Sequence, residues 1–367
     1  MKTKTARTQW TSLAAVLGLV IGTLAGCATP TGPVFEPLEE AITWPPAPEQ
    51  ARIRYVGQLA AERDLKRPRG FAESIGEALF GKQKEETMAL PLAACTDGAD
   101  RVFVVDTSLS IVHVFNLMTR QYEQWSPPED SPIPMLTPVG LAYDPIRQRL
   151  LVSDSANSVI QVFSDSGAYI GSIGRDHLLR PCGLVSDAET GNLYVADSKA
   201  HQVVVLTPDG DLVHRIGSRG EALGEFNGPV GIALDGRGRL YVCDSLNCRV
   251  QRFHPDFTPD LQIGRRGDMP GYFSRPKGLA VDSEGHLYVV DANFEAVQVF
   301  DEAGRLLLSF GHEGQGPGEF WLPAGLYIDA NDRLWVADSY NRRIQVFDYV
   351  SPALMEPSDS EESKELQ

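Results

Sequence analysis

The chain of 367 residues has only 5 cysteines and no Cys-x2-Cys pair. That excludes a disulfide scaffold, a zinc ribbon and a RING module. Basic residues are scarce too, with 33 Lys and Arg against 49 Asp and Glu for a net charge of −16. Such a chain repels phosphate backbones, so nucleic acid is not an expected partner. The 7 histidines fall at different phases of the pattern described below, which argues against a three-histidine metal cage. There is no Gly-x-Ser-x-Gly elbow and no phosphate-binding loop. No apolar run reaches the roughly 20 residues that span a bilayer. What is plentiful is apolar residues at 43%, enough for a sizeable core, and 34 Gly with 25 Pro, which point to many turns.

The first segment reads as an address. Lys2, Lys4 and Arg7 precede an uncharged, almost wholly apolar stretch from Leu13 to Leu24, the pattern of a signal-peptide core. It runs into Leu24-Ala25-Gly26-Cys27, which resembles the lipobox of bacterial lipoproteins. That resemblance implies cleavage after residue 26 and acylation of Cys27. Each buried methylene of the acyl chains would add about 0.8 kcal/mol of anchoring. An ordinary secretory signal with a chance cysteine is the competing reading. Ala28, where an Asp would retain the protein at the inner membrane, implies an outer-membrane anchor facing the periplasm. Removing residues 1–26 takes the charge to −19. Residues 27–50 read as a lipidated, Pro-rich tether, and residues 351–367 as a disordered acidic tail.

Between them the sequence repeats. A phrase close to Tyr-Val-Ala-Asp-Ser recurs, its aspartate at Asp106, Asp154, Asp197, Asp244, Asp291 and Asp338. A bulky apolar residue follows each after nine positions, as Phe300 follows Asp291. Five copies carry Pro-x-Gly ahead of the phrase; the first has Pro91-Leu92-Ala93. In the fifth copy, 278–282, 286–290, 296–300 and 305–310 read as four short strands between turn residues. Short strands with a period in the forties predict a six-bladed β-propeller over residues 51–350. The sixth copy stops after three strands. Ile53, Tyr55 and Leu59 alternate with polar or small residues, so residues 52–59 are expected to pair beside 344–347 and latch the ring. One short helix is expected near 71–80, where Phe71, Ile75, Ala78 and Leu79 share a face. It would pack on the ring or dock a partner.

The junctions carry a longer phrase, Gly217-Ser-Arg-Gly220-Glu-Ala-Leu-Gly224-Glu-Phe226-Asn-Gly-Pro229, repeated over 264–276 and 311–323. It strongly resembles the NHL repeat. With the lipobox and Trp44-Pro-Pro-Ala-Pro48, the chain is similar to bacterial NHL-repeat lipoproteins of the cell envelope. Some of these neighbour multihaem cytochrome genes, so the resemblance implies a protein partner, with a cytochrome-containing complex as one form. NHL proteins that bind RNA or ligate ubiquitin do so in settings, or with a RING, that this chain does not share.

Ligands of propellers bind at the channel mouth, which the loops before the inner strands and after the second strands surround. The six aspartates fall in those loops. A group repeated in every blade reads as structural, a side chain that accepts backbone N–H groups and holds the turn. Positions that vary are more informative. Arg180, Arg275 and Lys277 at the inner-strand entries, with Lys199 and Tyr340 in the second loops, form a candidate basic rim for an anionic ligand or acidic partner. Scattered surface charge is the competing reading. The lyases that share the fold hold zinc with histidines from several blades, and gluconolactonase-like propellers hold a divalent metal with carboxylates and Asn. Neither pattern stands at the matching positions here. No catalytic residue, metal ligand or cofactor is therefore expected, and the reading is a binding or protein-interaction platform. A hydrolase or lyase with an unfamiliar channel site is the alternative. Arg342 and Arg343, opening a third strand, read as solvated charges. Cys243 and Cys248 flank a short loop and could pair across two strands; Cys95, Cys182, Cys243 and Cys248 are read instead as buried thiols.

Overall fold

A computed structural model describes residues 32–66 and 86–351. The leader, Cys27, the expected helix at 71–80 and all but the first residue of the tail lie outside the described residues. Six antiparallel sheets follow one another round a ring, five of four strands and one of five. Among the described residues the only helical elements are two short 3-10 turns, Glu62–Leu65 and Ser245–Asn247.

The strands form where the pattern places them. In the fifth blade they are Pro276–Val281, Leu287–Asp291, Ala296–Phe300 and Leu306–Phe310, running from the channel outwards. The two middle strands, LYVVD and AVQVF, are buried at every residue. Both their faces meet neighbouring blades, which explains the unbroken apolar runs. The outer strand LLLSF is buried at every other residue or less, with solvent on one side.

The ring closes as the alternation implies. Ile53–Leu59 pairs antiparallel with Arg343–Tyr349, setting Ile53 against Tyr349 and Leu59 against Ile344. A bulge between Tyr55 and Gly57 shifts the alternation, so Ile53 and Tyr55 pack into the core shared with the fifth blade and Leu59 into the opposite core, toward the first. Leu59 joins a core shared with Ala94 and Val102 of the first blade and Trp335 of the sixth. Residues 34–44 correct the tether reading, for they lie on the ring. Phe35 meets Trp335 edge-on at 6.3 Å, and Trp44 packs on Phe310 and Phe347 at 5.5 and 5.9 Å. Thr43–Trp44 adds a fifth strand to the sixth blade. Two large aromatics left in water would forfeit their burial, and this outweighs the extended habit of the prolines around them.

The Pro-x-Gly phrase has a packing cause. Adjacent inner strands approach so closely that a Cβ on Gly231 would stand 2.3 Å from the Lys277 carbonyl oxygen, and one on Gly278 2.5 Å from the Leu326 nitrogen. Only a hydrogen fits there. Gly231→Ala is therefore expected to destabilise by about 1–3 kcal/mol, since backbone rather than a side chain must yield. Gly236→Ala is the control, with nothing within 4 Å of its added carbon. Urea midpoints of the two variants would separate close packing from a general cost of losing glycine. The junction phrase has a similar origin. Phe226, Phe273 and Phe320 are fully buried, and each ring occupies the space beside the first glycine of its phrase, as Phe320 lies against Gly311 at φ +84°.

Candidate functional site

Each repeated aspartate is completely buried. Asp291 accepts the N–H groups of Ser274 at 2.7 Å and Arg275 at 3.0 Å through opposite oxygens, and Asn293 N–H at 3.0 Å. Asp197 does the same for Leu179, Arg180 and Ala200. One carboxylate thus ties the loop entering an inner strand to the turn after the second strand. Asp106 departs in detail. Burial opposes its charge, yet hydrogen bonds from His113 and the Ala89, Leu90 and Leu109 amides hold it below the usual carboxylate value. Two of these sites also bury an arginine. Arg249 pairs with Asp244 at 2.9 Å and Arg343 with Asp338 at 2.7 Å. Arg343 is therefore no solvated charge; it donates to the Gly316 and Glu319 carbonyls and to Gln58. Arg342 remains exposed.

These clamps fix the backbone that displays the variable residues. A channel of about 1270 Å³ runs between the inner strands. Its wall includes Arg180, Lys199, Arg275 and Lys277, which the structure brings to one mouth. Their side chains make no ion pair or hydrogen bond with any described residue, whereas Arg101, Arg149, Arg239 and Arg252 are each held by a carboxylate. Tyr340 is not part of the wall; it is half exposed and packs on Trp321 with ring centroids 5.5 Å apart. The wall also holds Ser198, His201, Ser245 and Asn293, which the sequence reading passed over. Ser198 and Ser245 belong to the repeated Asp-Ser phrase itself, while His201 and Asn293 stand four and two residues after the aspartate, where the blades differ. His201 is occupied, for its Nδ1 accepts the Gly228 amide at 3.2 Å. Cys95, Cys182, Cys243 and Cys248 are all buried free thiols.

Lys277 is the cation set deepest in the wall. Burial pushes its amine below the ordinary lysine range, and the charge of Arg275 adds to this. The unfolded chain then holds more protons between the lowered value and the usual one, so stability rises with pH through that window. Lys277→Met is accordingly expected to keep or raise the thermal midpoint at neutral pH. A clear fall would mean that the amine has an internal partner. Anion binding should respond in the opposite sense, lost as pH rises through the lowered value and retained to higher pH in Lys277→Arg.

The Ser198 and Ser245 hydroxyls donate to the Arg180 and Pro276 carbonyls and Asn293 Nδ2 to Ser274 Oγ, which leaves the four cations as the groups that suit an anion. Among the described residues no three His, Cys, Asp or Glu side chains converge as a metal site built from those residues would need.

Comparison with known proteins agrees with this fold. Residues 261–357 match a family model described as a 6-bladed beta-propeller, and residues 226–253 match the NHL repeat. No curated protein matches by sequence. Similar solved structures include a gluconolactonase from Xanthomonas campestris at 16% identity and TM-score 0.57, covering 86% of this chain and 99% of that one. Virginiamycin B lyase from Staphylococcus aureus is 12% identical with TM-score 0.52, over 71% of this chain and 96% of that one. A chain of a nidogen/laminin complex is 19% identical with TM-score 0.51, over 64% and 87%. At these identities the likeness is one of fold, and that fold carries both enzymes and a chain of a protein complex.

Proposed function

We propose that this NHL-repeat propeller is an envelope-anchored binding platform whose channel mouth takes an anionic group without transforming it. The observation that supports this most is the set of four uncommitted cations, Arg180, Lys199, Arg275 and Lys277, on a chain of charge −16 that pairs most of its other arginines. Rigid turns display them, because Asp197 and Asp291 clamp the backbone of Arg180 and Arg275. A preorganised cluster loses little entropy on binding and selects charge over shape. Calorimetric titration with citrate and with glycerol 3-phosphate tests the reading. Wild type should bind one or both with an affinity that falls with salt. Arg180→Ala combined with Arg275→Ala should weaken that binding at least tenfold, and unchanged binding would reject the site.

The anchor has its own test. Cys27→Ser should abolish incorporation of an alkyne fatty acid in cells, because a hydroxyl cannot form the thioether. Equal labelling of wild type and variant would contradict it.

A second reading, a hydrolase or lyase acting in the channel, draws on the gluconolactonase and lyase among the similar structures. Turnover of a lactone or ester panel, dependent on an added metal and lost on substitution of channel residues, would favour it over binding alone.

A further inference from the structure

Large apolar side chains left in water are concentrated on the face of the ring that holds the cationic mouth. Leu109, Leu136, Leu179, Leu246, Trp321 and Tyr340 are 42–60% exposed there. All sit in the loops before inner strands or in the turns after second strands, so they stand round the mouth as separate tips. Leu109 and Leu136 are brought together at the first junction, where the Ser110 hydroxyl donates to the Leu136 carbonyl, and Trp321 packs at a tilt against Tyr340 near the last. The same turns and entries carry Arg180, Lys199, Arg275, Lys277 and Arg342; Glu295 is the one carboxylate of the turns, while the entries also hold acids such as Glu129, Asp130, Asp176, Glu221, Asp268 and Glu313.

The opposite face is the more acidic. Its turns hold Asp97, Asp187, Asp235, Asp282, Asp301 and Asp329, together with further carboxylates such as Glu189 and Glu284. The excess of carboxylates therefore lies on the opposite face, even with Asp97, Asp235 and Asp301 paired to Arg101, Arg239 and Arg305, while cations and carboxylates are mixed on the mouth-bearing one. The chain's entry point on the ring favours the mouth-bearing side. Val34 and Phe35 line a small cleft with Gln315 and Pro317 of the loop that ends at Trp321.

We propose that the mouth-bearing face rests on an anionic bilayer surface, with its leucines and Trp321 in the interfacial layer and its cations over lipid phosphates. The idea rests on the anion-binding reading of the mouth and names the source of the anion. Three features separate a bilayer from a protein partner. The apolar tips ring the mouth rather than form one contiguous patch, which suits a flat fluid surface. Trp and Tyr beside cations are the side chains that settle at headgroup level. The carboxylate-rich face points away from a negatively charged membrane.

The test places an environment-sensitive fluorescent amino acid at Leu109, Leu246 or Met118 of the full chain, reconstituted with vesicles. Met118 is 67% exposed in a turn of the opposite face and serves as the reference. With vesicles of phosphatidylglycerol and phosphatidylcholine in equal parts, emission from 109 and 246 should shift to the blue and be quenched by brominated acyl chains. The label at 118 should not respond. Arg180→Gln with Arg275→Gln should weaken the phosphatidylglycerol-dependent contact roughly 25-fold. Labels at 109 and 246 that stay in water would overturn the bilayer proposal. If citrate still bound, the mouth reading would survive that result; loss of both would reject both. An equal shift in pure phosphatidylcholine would also overturn it, since the cations would then play no part. Labels that move only when an envelope protein is added would assign the face to a protein instead.

Discussion

Deletion of residues 51–59 is expected to abolish cooperative folding of the ring. Ile53, Tyr55 and Leu59 are 1, 8 and 0% exposed. Burying each contributes about 1.5–3 kcal/mol, so their loss alone removes roughly 4.5–9 kcal/mol from a stability that is typically about 5–15 kcal/mol. The deletion also strips the paired edge from Arg343–Tyr349 and opens the core that joins the sixth blade to the first. An unpaired edge invites association between chains. Thermal unfolding with light scattering should show a broad, low transition and aggregates. A sharp midpoint within a few degrees of wild type would mean that the strand is dispensable for closure.

Asp338→Ala is the second large effect. Asp338 is fully buried and accepts Arg343 Nε at 2.7 Å, the Trp321 amide at 2.8 Å and Asn341 Nδ2 at 2.9 Å. Arg343 is only 6% exposed, so the substitution leaves a guanidinium in the interior without its counter-charge. Removing one partner of such a pair costs about 3–5 kcal/mol. Asp338→Asn keeps an acceptor and should recover part of that. Denaturant unfolding of both would decide, and equal stability of Ala and wild type would show that Arg343 finds another acceptor. Because Asp338 also positions Trp321, the Ala variant should loosen the Trp321–Tyr340 pair, seen as a red shift in tryptophan emission.

The sequence carried most of this architecture because each repeated residue answers a local constraint that recurs in every blade. Pro-x-Gly marks inner strands too close for a Cβ, as at Gly231 and Gly278. The aspartate marks a turn that needs an acceptor. The latch was legible because a half-buried strand alternates, and Ile53 and Tyr55 are the buried pair of that alternation. Other features were less accessible. Phe35 and Trp44 sit among prolines with no periodicity, and only their aromatic surface hints that they pack. Arg343 looked like surface charge because a carbonyl that satisfies it, that of Glu319, lies 24 residues away in the junction loop. At the mouth the cations could be placed, since the repeat gave their positions. Ser198, Ser245 and Asn293 could not be singled out, because small polar residues are equally at home in any turn. Tyr340 was misplaced by the same logic; its loop is at the mouth, but its ring turns to Trp321.

Whether anions occupy the mouth is tested most directly by chemical protection of Lys277. Acetylation of lysines by a water-soluble reagent, followed residue by residue by mass spectrometry, reads that amine among the chain's other lysines. The account predicts that citrate or glycerol 3-phosphate slows acetylation of Lys277 and Lys199 at least severalfold. Lys66, which lies outside the channel wall, should be unaffected, and the protection should disappear in Arg180→Ala with Arg275→Ala. Acetylation of Lys277 that stays the same at every anion concentration would contradict it.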